Sequence, residues 1–386
     1  MDLLLRPPLG PALTALQRTG FLRVPSWGRG SHSFLFAYDE SADRWIKLDL
    51  VGELAFGRHR IIRTFTEPRV LERRVRDGNS WVLDPSDDFW ALLLHCLLDR
   101  HEFPAHHAER LSELVSTATL ESPLARWFEQ NGAGWAAEGV LQAVRDQRWP
   151  ELLSAAAPIE RGWMRRHPDA RPRLAARAVL RRSTKLLSLL RRRGLSVALL
   201  GPDGAGKSTL ARALRKSFIF PARTVYMGMY AAGRNPRAGI LGRMADLWRG
   251  WLVGLYHRLR GRLVIFDRYT YDALLDGRRQ TVRRRIRRFL LAHACPAPHL
   301  VIVLDAPAEL LYRRSREHGV AELDEQRQRY LRLAAHLPRL RVVDASQGSN
   351  AVRREVTALV WSRYVERQQD QGSSRPSRRA VRPAPP

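Results

Sequence analysis

Cysteine is scarce in this chain: Cys96 and Cys295 stand far apart in 386 residues. They form no Cys-x-x-Cys pair, so neither a disulfide framework nor a cysteine-held metal is expected. Lysine is almost as rare. Only Lys47, Lys185, Lys207 and Lys216 occur, so nearly all of the 66 basic residues are arginine. Against 38 acidic residues this leaves a formal charge of +28. Abundant alanine, glycine and proline accompany the arginine, as in a GC-rich coding sequence. No recognised nucleic-acid motif appears, and nucleic acid is not an expected partner. Long apolar runs are missing too. A spanning helix needs roughly 18 apolar residues or more, and the densest stretch, 248–256, is broken by Arg249. Residues 1–10 begin with an acid and reach proline by Pro7, unlike a signal peptide. The expected location is cytoplasmic. His95, Cys96, His101, His106 and His107 cluster locally but lack zinc-ligand spacing.

Residues 1–115 read as a small α/β domain. Strands are expected at 33–38, 44–51 and 81–83, with a polar turn at 39–43. A helix then opens at Asp84-Pro85-Ser86, with Ser86 as N-cap and Asp87 and Asp88 in its first turn. Residues 116–194 read as a helical connector. It contains a proline-bearing linker at 167–172 and a helix from 172 to 193 that stops at Gly194. That helix has one apolar face and one arginine face. Packing of its apolar face within the protein is the preferred reading; contact with a membrane surface is the alternative.

From Leu195 the pattern changes. Short apolar strands at 196–200, 223–227, 263–267, 299–305 and 341–344 alternate with helices. This predicts an α/β domain, a five-stranded parallel sheet with helices on both faces. After 366 the chain is Arg, Ser, Pro and Gln with almost no apolar residue, and a disordered basic tail is expected.

The chemistry concentrates just after the first of these strands. Gly201, Pro202, Asp203, Gly204, Ala205, Gly206, Lys207 and Ser208 match the P-loop pattern, followed by Thr209. Glycines let backbone N–H groups turn toward a phosphate chain, and the following helix adds its positive end. Lys207 suits the β- and γ-phosphates, and the Ser208 hydroxyl suits Mg²⁺. Asp267 ends another strand and is the second candidate metal ligand; Arg268 follows as a phosphate clamp. Arg313, Arg314 and Arg316 precede Gly319 and are candidate lid residues, neutralising charge on the transferred group.

The P-loop, the Asp267-Arg268-Tyr269 triplet, the strand end Leu304-Asp305-Ala306-Pro307 and the helical residues around Tyr330 together resemble the thymidylate kinase family of P-loop nucleoside monophosphate kinases, over residues 195–365. The resemblance implies ATP as donor, Mg²⁺, an acceptor phosphate on Arg268, and Asp203 near the acceptor's sugar. One segment departs from that family. Where a thymine-reading glutamine is expected, residues 270–279 carry Asp272, Asp276, Arg278 and Arg279 instead, and Gln280 lies further on. Residues 1–115 resemble a nucleotidyltransferase-type domain through 2–5, 45–50 and 83–90. That chemistry needs two carboxylates on one strand and a third on its neighbour. Asp2 and Asp49 would supply two of them, so the domain is read as an incomplete scaffold.

The leading expectation is therefore an ATP- and Mg²⁺-dependent kinase for dTMP or another nucleoside monophosphate, with a homodimer allowed by the resemblance. The alternatives are a kinase for another phosphorylated or polyhydroxy acceptor, and a regulatory ATP-binding module. A GTPase is disfavoured because no Asn-Lys-x-Asp segment occurs, and a transporter ATPase because its glycine-rich signature is absent.

Overall fold

The computed structural model describes residues 2–24, 32–191, 194–228, 240–275, 281–337 and 339–373. The chain divides into two compact units, Met1–Phe36 with Lys47–Leu186, and Ala37–Ile46 with Leu187–Pro386. The expected features at 192–193, 276–280 and 374–386 lie outside the described residues.

The amino-terminal sheet contains β1 (Asp2–Leu4), β2 (Leu22–Val24), β3 (Ser33–Asp39) and β4 (Arg44–Val51), in the order β1-β4-β3-β2. β1 runs parallel to β4, and β2 antiparallel to β3. Helices make up most of the remainder of the first unit. The predicted break at 115 does not divide its core. Trp90, on α1 (Pro85–Leu94), lies 5.6 Å from Phe128, ring centre to ring centre. The Ser122 hydroxyl donates to buried Asp87 at 2.6 Å. One apolar cluster runs from Phe56 through Leu94, Val140 and Ile159 to Trp163. The short helices after 116 bury too little surface alone, and α1 supplies the missing apolar face.

The strand expected at 81–83 is present as Ser80–Val82, pairing with Val75–Asp77, a strand too polar to read from sequence. Two local expectations are corrected. Asp84, not Ser86, caps α1, accepting from the Ser86 N–H at 3.0 Å, while the Ser86 hydroxyl bonds Thr119. The linker at 167–172 is cut short because helix α2 (Ala170–Arg191) starts within it. Proline is tolerated in a first helical turn, where no intrahelical partner awaits its missing N–H.

The second unit is a parallel sheet in the order β6-β7-β5-β8-β9. Its strands are β5 (Ser196–Leu200), β6 (Ala222–Tyr226), β7 (Leu263–Asp267), β8 (Leu300–Asp305) and β9 (Leu340–Asp344). Every residue of β5 and β7 is buried, as central strands covered on both faces must be. Helix α3 (Lys207–Ser217) follows β5, α4 (Ile240–Leu259) follows β6, and α5 (Val282–Ala292) follows β7. After β8 come α6 (Ala308–Ser315) and α7 (Val320–His336), and α8 (Ser349–Ser373) follows β9. Leu247 of α4 and Tyr330 of α7 share a core with Ala198, Val264 and Val301 on one sheet face. α3 and α8 pack together on the other. Trp45 also belongs to this unit. Its indole N–H donates to Ser217 O at 2.9 Å, and its ring meets Phe218 and Trp361 edge-on.

α8 continues past 366, where an unstructured tail is expected. Glu366, Arg367 and the following glutamines are good helix formers, and the Arg363–Glu366 pair supports that turn at 2.8 Å. Among the described residues no helix is long and apolar enough to cross a membrane.

Candidate functional site

The order of the sheet places the ends of β5 and β7 side by side. Ligands of open parallel sheets gather outside such carboxyl ends, where the connections diverge. From β5 the chain enters α3 through residues 201–206. Gly201 has φ +142° and Gly204 φ +84°. A Cβ would lie 2.6 Å from Leu304 O at Gly201, and 2.6 Å from Leu311 O at Gly204. The loop therefore needs glycine there both for backbone conformation and for space. α3 starts at Lys207 with no side-chain cap, so its first N–H groups face the loop and suit an anion.

Lys207 is buried, 6% exposed. Its Nζ donates to Gly201 O at 2.8 Å and Pro202 O at 2.7 Å, and lies 3.5 Å from Asp203. Burial, then the neighbouring Arg268 charge, lowers the Lys207 pKa against the pull of Asp203, Asp272 and Asp267. Ser208 Oγ donates to Asp267 Oδ2 at 2.6 Å, and Asp267 is itself buried. Two hard oxygen donors thus meet beside the lysine, a set that suits Mg²⁺.

Arg268 has φ +68°, unusual for a side chain of its size. Its guanidinium bonds Asp203 and lies 3.8 Å from Asp272. Burial would raise the Asp203 carboxyl, but Lys207 and Arg268 outweigh it and hold the group below its ordinary value. Asp272 goes the other way. Burial lifts it to about 6, against the opposing effects of Arg268, Lys207 and the Tyr330 hydroxyl, which donates to Oδ1 at 3.0 Å. Its Oδ2 accepts no hydrogen bond. Tyr269 is a core residue, fully buried, with its hydroxyl on Pro296 O at 2.6 Å.

A cavity of about 740 Å³ opens over this arrangement, lined by Asp203 to Thr209, Asp267 and Arg268. Gly201 and Pro202 do not line it; they hold Lys207 from behind through their carbonyls. Of the three candidate lid arginines only Arg314 lines it, donating to Ala345 O at 2.9 Å. Arg313 and Arg316 are exposed and stay outside. Successive helical positions point about 100° apart, and here that turn carries Arg313 away from the cavity that Arg314 lines. Arg316 ends the helix in a left-handed turn.

Sequence reasoning missed Arg353 and Glu317, which also line the cavity. Nothing marks Arg353 in an arginine-rich chain. Asp203, Glu317 and His318 form the only trio of His, Cys, Asp or Glu among the described residues close enough to share an ion. Asp203 in that trio is already engaged by Lys207 and Arg268. In the first unit, Asp2 and Asp49 stand opposite each other in register on β1 and β4. Asp2 is exposed; Asp49 is buried with His32 Nδ1 at 2.8 Å from its Oδ2.

No family model matches the chain. It is 29% identical over 202 residues to a probable thymidylate kinase of Thermococcus gammatolerans, covering 43% of this chain and 96% of that relative. A solved structure of thymidylate kinase from Candida albicans aligns with 42% of this chain and 89% of its own, at 18% identity and a TM-score of 0.34.

Proposed function

We propose that residues 195–365 form a Mg²⁺- and ATP-dependent kinase acting on a nucleoside monophosphate, with dTMP as acceptor and dTDP and ADP as products. The observation that carries this reading is the contact of Ser208 with Asp267 beside buried Lys207, across a glycine loop that opens a helix. Magnesium-bound ATP, when present, brings the phosphoryl group to be transferred. The chain's own residues do the rest. Loop N–H groups and Lys207 hold the phosphates and offset their charge. Ser208 and Asp267 are the residues that would hold the metal. Arg268 holds the acceptor phosphate, with Asp203 toward the acceptor's sugar, and Arg314 closes the far side of the cavity. The likeness to a probable thymidylate kinase supports this acceptor. Residues 1–115 act as a scaffold of nucleotidyltransferase type, whose core is completed by the helices that follow.

A second reading of the acceptor rests on Asp272. A buried carboxyl with one oxygen accepting no hydrogen bond suits a partner that donates one, such as a sugar hydroxyl. ADP release with ATP and Mg²⁺ tests both readings, against dTMP, other nucleoside monophosphates and sugar phosphates. The expected result is fastest turnover with dTMP. A sugar phosphate preferred by about tenfold or more, equivalent to 1.4 kcal/mol, replaces the nucleotide with the second acceptor class. Equal, negligible turnover of wild type and Lys207→Ala on every acceptor would leave a regulatory ATP-binding module.

A further inference from the structure

The cavity over the P-loop extends well past the phosphate-binding residues. Leu210 and Ala213 also line it, and they lie about 4.5 and 9 Å beyond Lys207 along α3. The start of α8, which packs on α3, supplies Asn350, Val352 and Arg353 to the lining. Position alone says little about one arginine in a chain so rich in them. Arg353 differs because it is held. Its side chain is 14% exposed, and its guanidinium donates to Asp43 Oδ2. The Tyr38 hydroxyl donates to the other oxygen, Asp43 Oδ1, at 2.7 Å.

Asp43 and Tyr38 both come from the turn between β3 and β4, residues 37–46, which belongs to the second unit. That turn is itself fixed. Asp39 accepts from the Ser41 hydroxyl at 2.6 Å and from the Ala42 N–H at 3.1 Å. The Trp45 ring lies 4.9 Å from that of Tyr38, centre to centre, and its N–H bonds Ser217 O at the end of α3. Trp45 thus anchors the turn without help from Arg353, and the Asp43–Arg353 pair is free to serve the cavity. Hydrogen bonds to Asp43 use the edge of the guanidinium and offset its charge. Its flat face can still stack on an aromatic plane. In ATP that plane is the base, and the phosphates belong over Lys207. We propose that Arg353 is a donor-binding residue that stacks on the base of ATP, and that Asp43 and Tyr38 are positioning residues that hold it there. The donor site is then built in part by residues far outside 195–365. This rests on the reading of the cavity as an ATP site.

Equilibrium binding of ATP and of inorganic tripolyphosphate to the full chain, each with Mg²⁺, tests it, since only ATP carries a base. Arg353→Lys keeps the charge and removes the plane. It is expected to weaken ATP binding about tenfold and to leave tripolyphosphate within about twofold of wild type. Asp43→Asn is expected to weaken ATP binding about threefold, as when a pre-organised side chain is loosened. Added to Arg353→Lys it is expected to change nothing further, because it acts through that guanidinium. Far-UV circular dichroism and the melting temperature identify any variant that has not folded. If Arg353→Lys is one of these, Asp43→Asn carries the test with the same two ligands. A folded Arg353→Lys that binds ATP like wild type overturns the proposal. So does an equal loss of ATP and tripolyphosphate, which makes the arginine a support of the phosphate end. Wild type that binds tripolyphosphate as tightly as ATP also overturns it, and leaves the P-loop reading standing. Wild type that binds neither removes the ATP site and this inference together.

Discussion

Asp267 and Asp49 are both buried carboxylates on parallel-paired strands, and their surroundings differ in almost every other respect. Asp267 ends its strand beside the start of a helix. It accepts from Ser208 and lies near Lys207 at the edge of a large cavity. Asp49 meets a buried imidazole, His32, and its second oxygen accepts no hydrogen bond. The nearby cation Lys47 lies over the Phe34 ring, 5.1 Å from its centre. Burial and strand position alone therefore do not make a phosphate site. A helix start, a lysine held by the loop's own carbonyls and space for an anion distinguish the second unit.

The sharpest way to break this contrast is Lys207→Ala. Its expected effect is a fall in phosphoryl transfer of about a thousandfold, in the range for removing a preorganised charge donor. The rate of ADP formation measures it, and a change below about tenfold would mean that the loop does not carry the chemistry.

Asp272→Asn is next in size. The Asp272 carboxyl titrates at about 6 in the folded protein against an ordinary 3.8, so the folded state holds that proton more tightly than the unfolded one. The resulting stability is fully present below the ordinary value and is lost as pH rises through about 6. The loss is on the order of 2–3 kcal/mol. Arg268, Lys207, Asp203 and Tyr330 are the charged and titratable groups around it. Urea unfolding should show the variant gaining on wild type between pH 4 and pH 7.5. A parallel pair of curves across that range would refute the assignment.

The smallest effect is expected at Asp49→Asn. Weakening a buried hydrogen-bonded partner of His32 costs about 1–2 kcal/mol of unfolding free energy. ADP formation should stay within about twofold of wild type, since Asp49 lacks the surroundings of a phosphoryl-transfer site. A collapse of turnover in the folded variant would erase the distinction between the two carboxylates.

What was legible in the sequence is what is encoded locally. The five strands of the second unit show as short apolar runs because both sheet faces are covered. The loop shows because glycines, Lys207 and Ser208 are contiguous. Asp267 shows because it ends an apolar run. Contacts between distant segments were not legible. Arg353 reaches the cavity from α8, and no local pattern separates it from dozens of other arginines. Arg314 differs from Arg313 only by the direction its helix turns it. The sharing of one core by Trp90 and Phe128 depends on packing between helices that each read as ordinary.

The two loop glycines pressed against Leu304 and Leu311 carry an evolutionary consequence. Mutation there strikes the packing of β8 and α6 whether or not a nucleotide is ever bound. Descendants that lost the activity would keep Gly201 and Gly204 for architectural reasons, while Lys207 and Asp267 would be free to drift. In any lineage of such chains, the lysine and the aspartate are the informative witnesses, and the glycines testify only to the fold.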